Sequence, residues 1–236
     1  MTLVRLNKYL AQLGVASRRK IDEITIGRRI TINGRLAVPG DKVNPETDTV
    51  IVDKKIINPT PQKLVYYALN KPKYVLSTNS DDLGRQTVLS YVPKTPRVYP
   101  VGRLDFESTG LILLTNDGDL ALKITHPRFH LPKVYLLTIL GKVPVNKIAQ
   151  LEKGIRLEDG LTAPSEVVVM PSKLDQTILK MTLYQGKKRQ IRRMCAAIHV
   201  HLLDLHRISI GPIEIKDLAP GKYRELSPKE LSFIRP

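Results

Sequence analysis

What most restricts the fold of this chain is a succession of apolar, β-branched and aromatic runs that starts near residue 63 and is only partly interrupted by helix. KLVYYALN (63–70), GLILLTN (110–116), KVYLLTILGKV (133–143), EVVVMPS (166–172) and QTILKMTLY (176–184) are each bounded by turn residues, as strands are. Helical periodicity falls between some of them, at 117–124, 145–154 and 189–198. It returns in the C-terminal SPKELSFI, where Ser227 and Glu230 have the spacing of a capping box. Several strands follow one another with no intervening helix. The expected class is therefore α+β, built on a mixed, largely antiparallel sheet.

The first sixty residues read differently. Leu3, Leu6, Leu10 and Leu13 fall on one face of a helix that Gly14 ends, and Ser17 can cap a second short helix beginning RRKIDE. GRRITINGR then offers a strand with an Asn33-Gly34 hairpin, and Pro39-Gly40 with the alternating DTVIVD (48–53) supplies further short strands. Asn58-Pro-Thr-Pro-Gln62 is stiff and polar and reads as a linker. The expected division is a small α+β module over 1–60 and a larger domain over 63–236.

Charge narrows the partners. Lys and Arg number 38 against 22 Asp and Glu, a formal net charge of +16, which points to a polyanion. The excess lies in both parts, since residues 1–60 hold 11 basic and 6 acidic side chains. Arg5, Lys8, Arg18, Arg19, Lys20, Arg28 and Arg29 form the cluster of the small module, a set suited to phosphate contacts. No apolar window is long enough to span a membrane, and MTLVRLNKYLAQ lacks the apolar core of a signal peptide. A lone Cys195 fits a reducing compartment, so the expected location is the cytoplasm, with no membrane partner. Neither the five histidines nor any other set has metal-ligand spacing, although His199 and His201 sit two apart on a candidate strand edge. No phosphate-cradling loop, dinucleotide fingerprint or nucleophile elbow is present, and neither a metal nor a cofactor is expected.

The most specific string is VGRLDFESTGLILLTNDG (101–118), which sets Asp105 in a turn just before a buried strand. Taken alone, Asp105 is equally a turn residue or a partner of Arg103. The full string closely resembles the signature of pseudouridine synthases, in particular the branch that modifies ribosomal RNA. LNKPKYVLST (69–78), KVYLL (133–137) and GKKRQIRRM (186–194), followed by LHRISIGPIEIKDLAPGKYREL, resemble that branch's other motifs in order and spacing. Residues 3–53 resemble the RNA-binding module named for a small-subunit ribosomal protein, which the same branch carries. Two residues depart from the pattern. Tyr74 stands where the family usually has glycine after KPK, and His199 where a glycine often follows the helix.

The resemblance implies that Asp105 is the catalytic carboxylate, Tyr135 the aromatic that stacks on the target base, and Arg192 the cation that pairs with Asp105. It further implies that Arg103 fills the space left by a flipped nucleotide, while Lys187, Lys188, Arg189 and Arg193 grip flanking phosphates. The partner would be ribosomal RNA, large-subunit in preference to small-subunit, and the protein a monomer. A non-catalytic assembly factor would be expected to lack one of the three catalytic side chains, and all are present. A glycoside-cleaving enzyme usually needs a second carboxylate, for which Glu107 is the only neighbour in sequence.

Overall fold

The computed structural model describes residues 3–60, 62–173 and 175–234. Its contacts divide the chain into two compact units, Met1–Leu64 with Thr95–Arg97, and Val65–Lys94 with Val98–Pro236. Of the anticipated linker, residues 58–60 are exposed and residue 61 lies outside the described residues.

The small unit runs β1 (Val4–Arg5), α1 (Leu6–Gln12), α2 (Arg18–Ile26), β2 (Ile30–Ile32), β3 (Arg35–Leu36), β4 (Lys42–Val43), β5 (Val50–Val52) and β6 (Lys55–Ile56). Four strands form a sheet in the order β3-β2-β5-β6, and β1 pairs with β4. Leu6, Tyr9 and Leu10 of α1 meet Ile21 of α2 and the inward Ile30, Ile32, Val50 and Val52 in one core. Ser17 Oγ accepts from the Lys20 amide (3.2 Å), which is the expected cap of α2. The β2–β3 hairpin turns on Asn33 (φ 50°) and Gly34 (φ 82°), both left-handed as a tight hairpin requires. One expectation is corrected. Leu3 is exposed rather than part of the helical face, because Val4 and Arg5 are extended and pair with Val43 and Lys42 before the helix begins.

The large unit comprises β7 (Tyr66–Lys71), β8 (Tyr99–Val101), β9 (Thr109–Thr115), α3 (Gly118–Thr125), β10 (Lys133–Leu140), α4 (Val145–Lys153), β11 (Arg156–Leu157) and β12 (Gly160–Leu161). It continues with β13 (Glu166–Met170), β14 (Gln176–Leu183), α5 (Gln190–Ala197), β15 (Leu202–Ile210), β16 (Ile213–Glu214), β17 (Tyr223–Glu225) and α6 (Pro228–Ile234). A nine-stranded sheet follows the path β13-β14-β10-β15-β9-β7-β17, with β16 on β15 and β8 on β9. β9 and β15 are parallel, and the other named pairs of this sheet are antiparallel.

Period-two alternation sends β7 and β9 side chains into separate cores. Ala68, Leu111 and Leu113 face Leu120 and Ile124 of α3 and Ile234 of α6. Leu69, Ile112 and Leu114 meet Val75 and Val88 on the opposite side. Leu137, Leu179, Met181 and Leu205 bury the apolar face of α5 through Ile191 and Met194. Ser227 and Glu230 close their box reciprocally at 3.3 and 2.8 Å. His199 lies in the turn after α5 and His201 just before β15, so the two do not share a strand edge, because α5 has to be stopped before β15 can start.

The parallel seam is short: His206 pairs with Thr109 and Arg207 with Gly110. Gly110 has φ 105°, and a β-carbon placed there would sit 2.3 Å from the Arg207 carbonyl oxygen. Both facts demand glycine. Gly110→Ala is expected to destabilise the large unit by about 3 kcal/mol or more, measured as a shift of the denaturant midpoint. A variant within about 0.5 kcal/mol of the parent would show that the seam has slack.

Candidate active site

Asp105 opens a turn whose backbone is fastened on both sides. The Ser108 amide donates to the Asp105 carbonyl (3.0 Å). Just before it, the buried Leu104 is clamped by Ser77 Oγ, which donates to its carbonyl (2.9 Å) and accepts from its amide (3.2 Å). Just after it, the Phe106 carbonyl accepts from the Tyr74 amide (2.7 Å) and from Lys71 Nζ (3.4 Å). The carboxylate is thus presented from a rigid backbone rather than a loose loop.

Arg192, on α5, reaches this turn from the other side of the sheet's seam. Its Nε lies 3.5 Å from Asp105 Oδ2 and its Nη1 3.6 Å from Glu107 Oε2. Its Nη2 donates to Ser108 Oγ (3.1 Å). The Arg192 and Asp105 side chains are only 16% and 28% exposed, so solvent screens their attraction less than it would on an open surface.

Asp105 and Arg103 line a cleft of about 390 Å³ together with Tyr135, Lys133, Arg207 and Arg189. Tyr135 projects from β10 beside its β15 neighbour Arg207. Arg207 is buried, donates from Nε to the Leu111 carbonyl (2.7 Å), and places its Nη1 3.5 Å from the Tyr135 hydroxyl. Its guanidinium carbon is 5.9 Å from the Tyr135 ring centre. A half-buried tyrosine, a held carboxylate and several cations around one cleft make a site able to receive a flat, neutral ring attached to an anionic backbone.

A buried lysine and a half-buried one add to the positive character. Lys71 is fully buried, with Nζ donating to the Pro72 carbonyl (2.9 Å). Burial pushes its ammonium down to about 8; nearby Asp105 opposes that shift and Arg207 reinforces it. Lys133 is lowered by burial and then by Arg207. Lys71, Lys133 and Arg207 were not singled out in the sequence. The available signal was a cation bounding an apolar run, Lys71 closing β7 and Lys133 opening β10, and none marked Arg207 within the polar-interrupted β15.

The anticipated RNA contacts fall into two groups. In the large unit Arg103, Lys188 and Arg189 are exposed. Lys187 Nζ donates to the Asp159 carbonyl (2.9 Å) and Arg193 forms a forked pair with the Asp159 carboxylate (2.9 and 3.0 Å), so both brace the β11–β12 turn. In the small unit Arg5, Arg18, Arg19, Lys20, Arg28 and Arg29 are exposed and Lys8 is half-buried. Lys20 pairs with Glu23 (2.9 Å) and Arg29 with Asp53 (2.6 Å).

Residues 65–197 match the family model described as RNA pseudouridylate synthase. The chain belongs to that family. Residues 4–50 match the S4 domain. An Aquifex aeolicus protein named as an uncharacterized RNA pseudouridine synthase is 42% identical over 237 residues, covering 99% of this chain and 94% of the relative. The ribosomal large subunit pseudouridine synthase B of Bacillus subtilis is 37% identical over 98% of this chain and 95% of its own length. A crystal structure of a pseudouridylate synthase superposes with a TM-score of 0.69 at 28% identity, covering 98% of this chain and 99% of the other. Among the described residues of this pseudouridine synthase no helix is long and apolar enough to cross a membrane.

The depressed Lys71 fixes the sign of a pH effect. Its folded value of about 8 lies below the ordinary 10.5, so between those values the unfolded chain binds more protons and the stability due to this group rises with pH. The unfolding free energy of the parent minus that of Lys71→Met should therefore grow between pH 7.5 and about 10. A pH-independent difference would show that Lys71 keeps its proton as firmly in the fold as in water.

Proposed function

We propose that this protein isomerises one uridine of ribosomal RNA to pseudouridine, with large-subunit RNA as the substrate and Asp105 as the catalytic carboxylate. The observation that carries the reading is the Asp105 turn held 3.5 Å from Arg192 in a cleft that Tyr135 also lines. The Bacillus subtilis relative, named for the large ribosomal subunit, supports the choice of RNA.

The reaction breaks the N1–C1′ bond of the target uridine, turns the base, and forms a bond from C5 to C1′; the C5 proton is lost and N1 gains one. No external reactant is consumed. Asp105 acts on the sugar, either by attacking C1′ or by removing a sugar proton, and Arg192, 3.5 Å away, holds the carboxylate aimed. Tyr135 stacks on the base, with Arg207 orienting its hydroxyl. The target nucleotide leaves the helical stack to reach Asp105, and the exposed Arg103 beside it fills the gap. Glu107 faces Arg192 and Arg189 and does not line the cleft, which removes support for a two-carboxylate glycosidase.

Asp105→Asn should lower the single-turnover rate by about 10⁴-fold or more, with RNA affinity within a few-fold, because the amide keeps the shape but cannot act as nucleophile or base. Arg192→Ala should lower the rate by about 100-fold or more through loss of charge stabilisation. Pseudouridine mapping of rRNA treated with each variant is the check, and Asp105→Asn at full speed would end the assignment.

The small unit is read as a phosphate clamp. Replacing Arg18, Arg19 and Lys20 together with alanine should flatten the slope of log affinity against log salt by about 2 to 3, from about 0.7 to 0.9 per phosphate contact. Titration of one rRNA fragment across a salt series measures it. An unchanged slope would assign those side chains to solvent.

A further inference from the structure

Two large aromatic side chains stand in solvent just outside the cleft, joined to the turn that carries Asp105. Tyr74 is 65% exposed and Phe106 is 39% exposed. Their ring centres are 5.5 Å apart at 60°, a tilt that leaves each ring a face not covered by the other. The Tyr74 amide bonded to the Phe106 carbonyl (2.7 Å) fixes the two backbones together, and Phe106 directly follows Asp105. Neither ring lines the cleft itself.

Cations flank the pair in the chain, several of them already engaged by carboxylates. Arg103 lies two residues before Asp105 and is exposed. Glu107, the residue after Phe106, is approached by Arg189 (3.9 Å) and Arg192 (3.6 Å). Lys73, next to Tyr74, is tied to Asp204 (2.8 Å). Exposed aromatic faces beside an exposed arginine such as Arg103 are the kind of surface that holds single-stranded nucleic acid, with bases on the rings and phosphates on the charge. Tyr74 also keeps a bulky side chain at φ 62°, where glycine would be relaxed. Apart from its contact with the Phe106 ring, an aromatic exposed from such a backbone position gives the fold little packing in return.

We propose that Tyr74 and Phe106 form a stacking platform for an unpaired nucleobase flanking the target uridine. The proposal rests on the function assigned above and extends it to a neighbouring subsite. The platform holds the strand on one side of the target while the target enters the cleft, and its distance from Asp105 is set by the Tyr74–Phe106 backbone bond.

The probe is a short single-stranded oligouridylate carrying one 2-aminopurine beside its central uridine, placed in turn on each side. Stacking quenches 2-aminopurine emission. Full-length protein should quench strongly at one of the two positions. Tyr74→Gly and Phe106→Leu should each reduce that quenching and weaken binding by roughly 5- to 100-fold. Tyr74→Phe should restore both, since it keeps the ring face. Replacing the 2-aminopurine with an abasic nucleotide should cost the parent a similar factor and cost Tyr74→Gly little, because the partner ring is already gone. Tyr74→Gly should also melt no lower than the parent, which separates a lost contact from a damaged fold.

Equal quenching by the parent and both variants, or an abasic penalty of the same size in the parent and Tyr74→Gly, overturns the platform. Pseudouridine formation in large-subunit rRNA by the parent is scored in parallel. Its absence would count against the assigned function, whereas its presence with unchanged quenching in the variants would count against the platform alone.

Discussion

The two-residue parallel seam between β9 and β15 is the constraint on which the site depends. On one side of it lie β7, β9 and β17; on the other lie β15, β10, β14 and β13. Asp105 hangs from the start of the first group, just before β9, while Tyr135 on β10 and Arg192 on α5 belong to the second. The seam brings these groups to one cleft. Gly110 lets the two backbones close to a distance that any β-carbon would forbid. The Arg207 guanidinium, reaching from β15 to the Leu111 carbonyl on β9, reinforces the same join. The side chain that fastens the sheet therefore also touches the Tyr135 hydroxyl, so architecture and chemistry share one residue.

Gathering Lys71, Lys133, Arg192 and Arg207 near the Asp105 turn and its cleft is costly for folding, as the depressed Lys71 and Lys133 show. The arrangement relieves part of that cost with local acceptors. Lys71 takes the Pro72 and Phe106 carbonyls, Lys133 the Leu131 carbonyl, and Arg207 the Leu111 carbonyl. The remaining positive potential lies where an anionic strand would be drawn in. Lys187 and Arg193, which are nearby in sequence, are instead neutralised by the Asp159 turn, so charge count alone does not identify the cations left open to a ligand.

The sequence made the strand-rich α+β class readable because the buried runs are long and apolar, and α3 to α6 appear within a residue or two of their expected spans. It hid β15, the strand at the seam, because LLDLHRISI interrupts its apolar pattern with Asp204, His206 and Arg207. Those polar residues are there for reasons of the site: His206 Nδ1 lies 2.7 Å from Thr109 Oγ1 across the seam, and Asp204 holds Lys73. β8, β16 and β17 were too short to carry a period. At Leu3 the helical spacing was real but lost to strand pairing at Val4 and Arg5. The meeting of Asp105 with Arg192 was legible only through resemblance, since 87 residues of sequence separate side chains that the sheet sets 3.5 Å apart.

The two departures from the family pattern show how one backbone requirement can serve different ends. Both positions are left-handed, Tyr74 at φ 62° and His199 at φ 53°, which is the conformation that glycine adopts freely and other residues adopt at a cost of about 1 to 2 kcal/mol. At His199 the return is structural. Its amide donates to the Ala196 carbonyl and the Val200 amide to the Cys195 carbonyl (both 3.0 Å), the bond pair that ends a helix in a Schellman motif. Its own carbonyl accepts from Lys147 Nζ (3.1 Å), which links the end of α5 to α4. Arg189, at φ 50°, opens the same helix, so α5 is bracketed by left-handed residues at both ends. Eight residues between two such stops cannot slide or rotate by a turn, and this sets the phase at which Arg192 meets Asp105. At Tyr74 no helix is stopped. There the amide fastens the backbone to the Asp105 turn, as any residue's would, while the side chain carries a largely exposed ring, which is what the proposed platform uses.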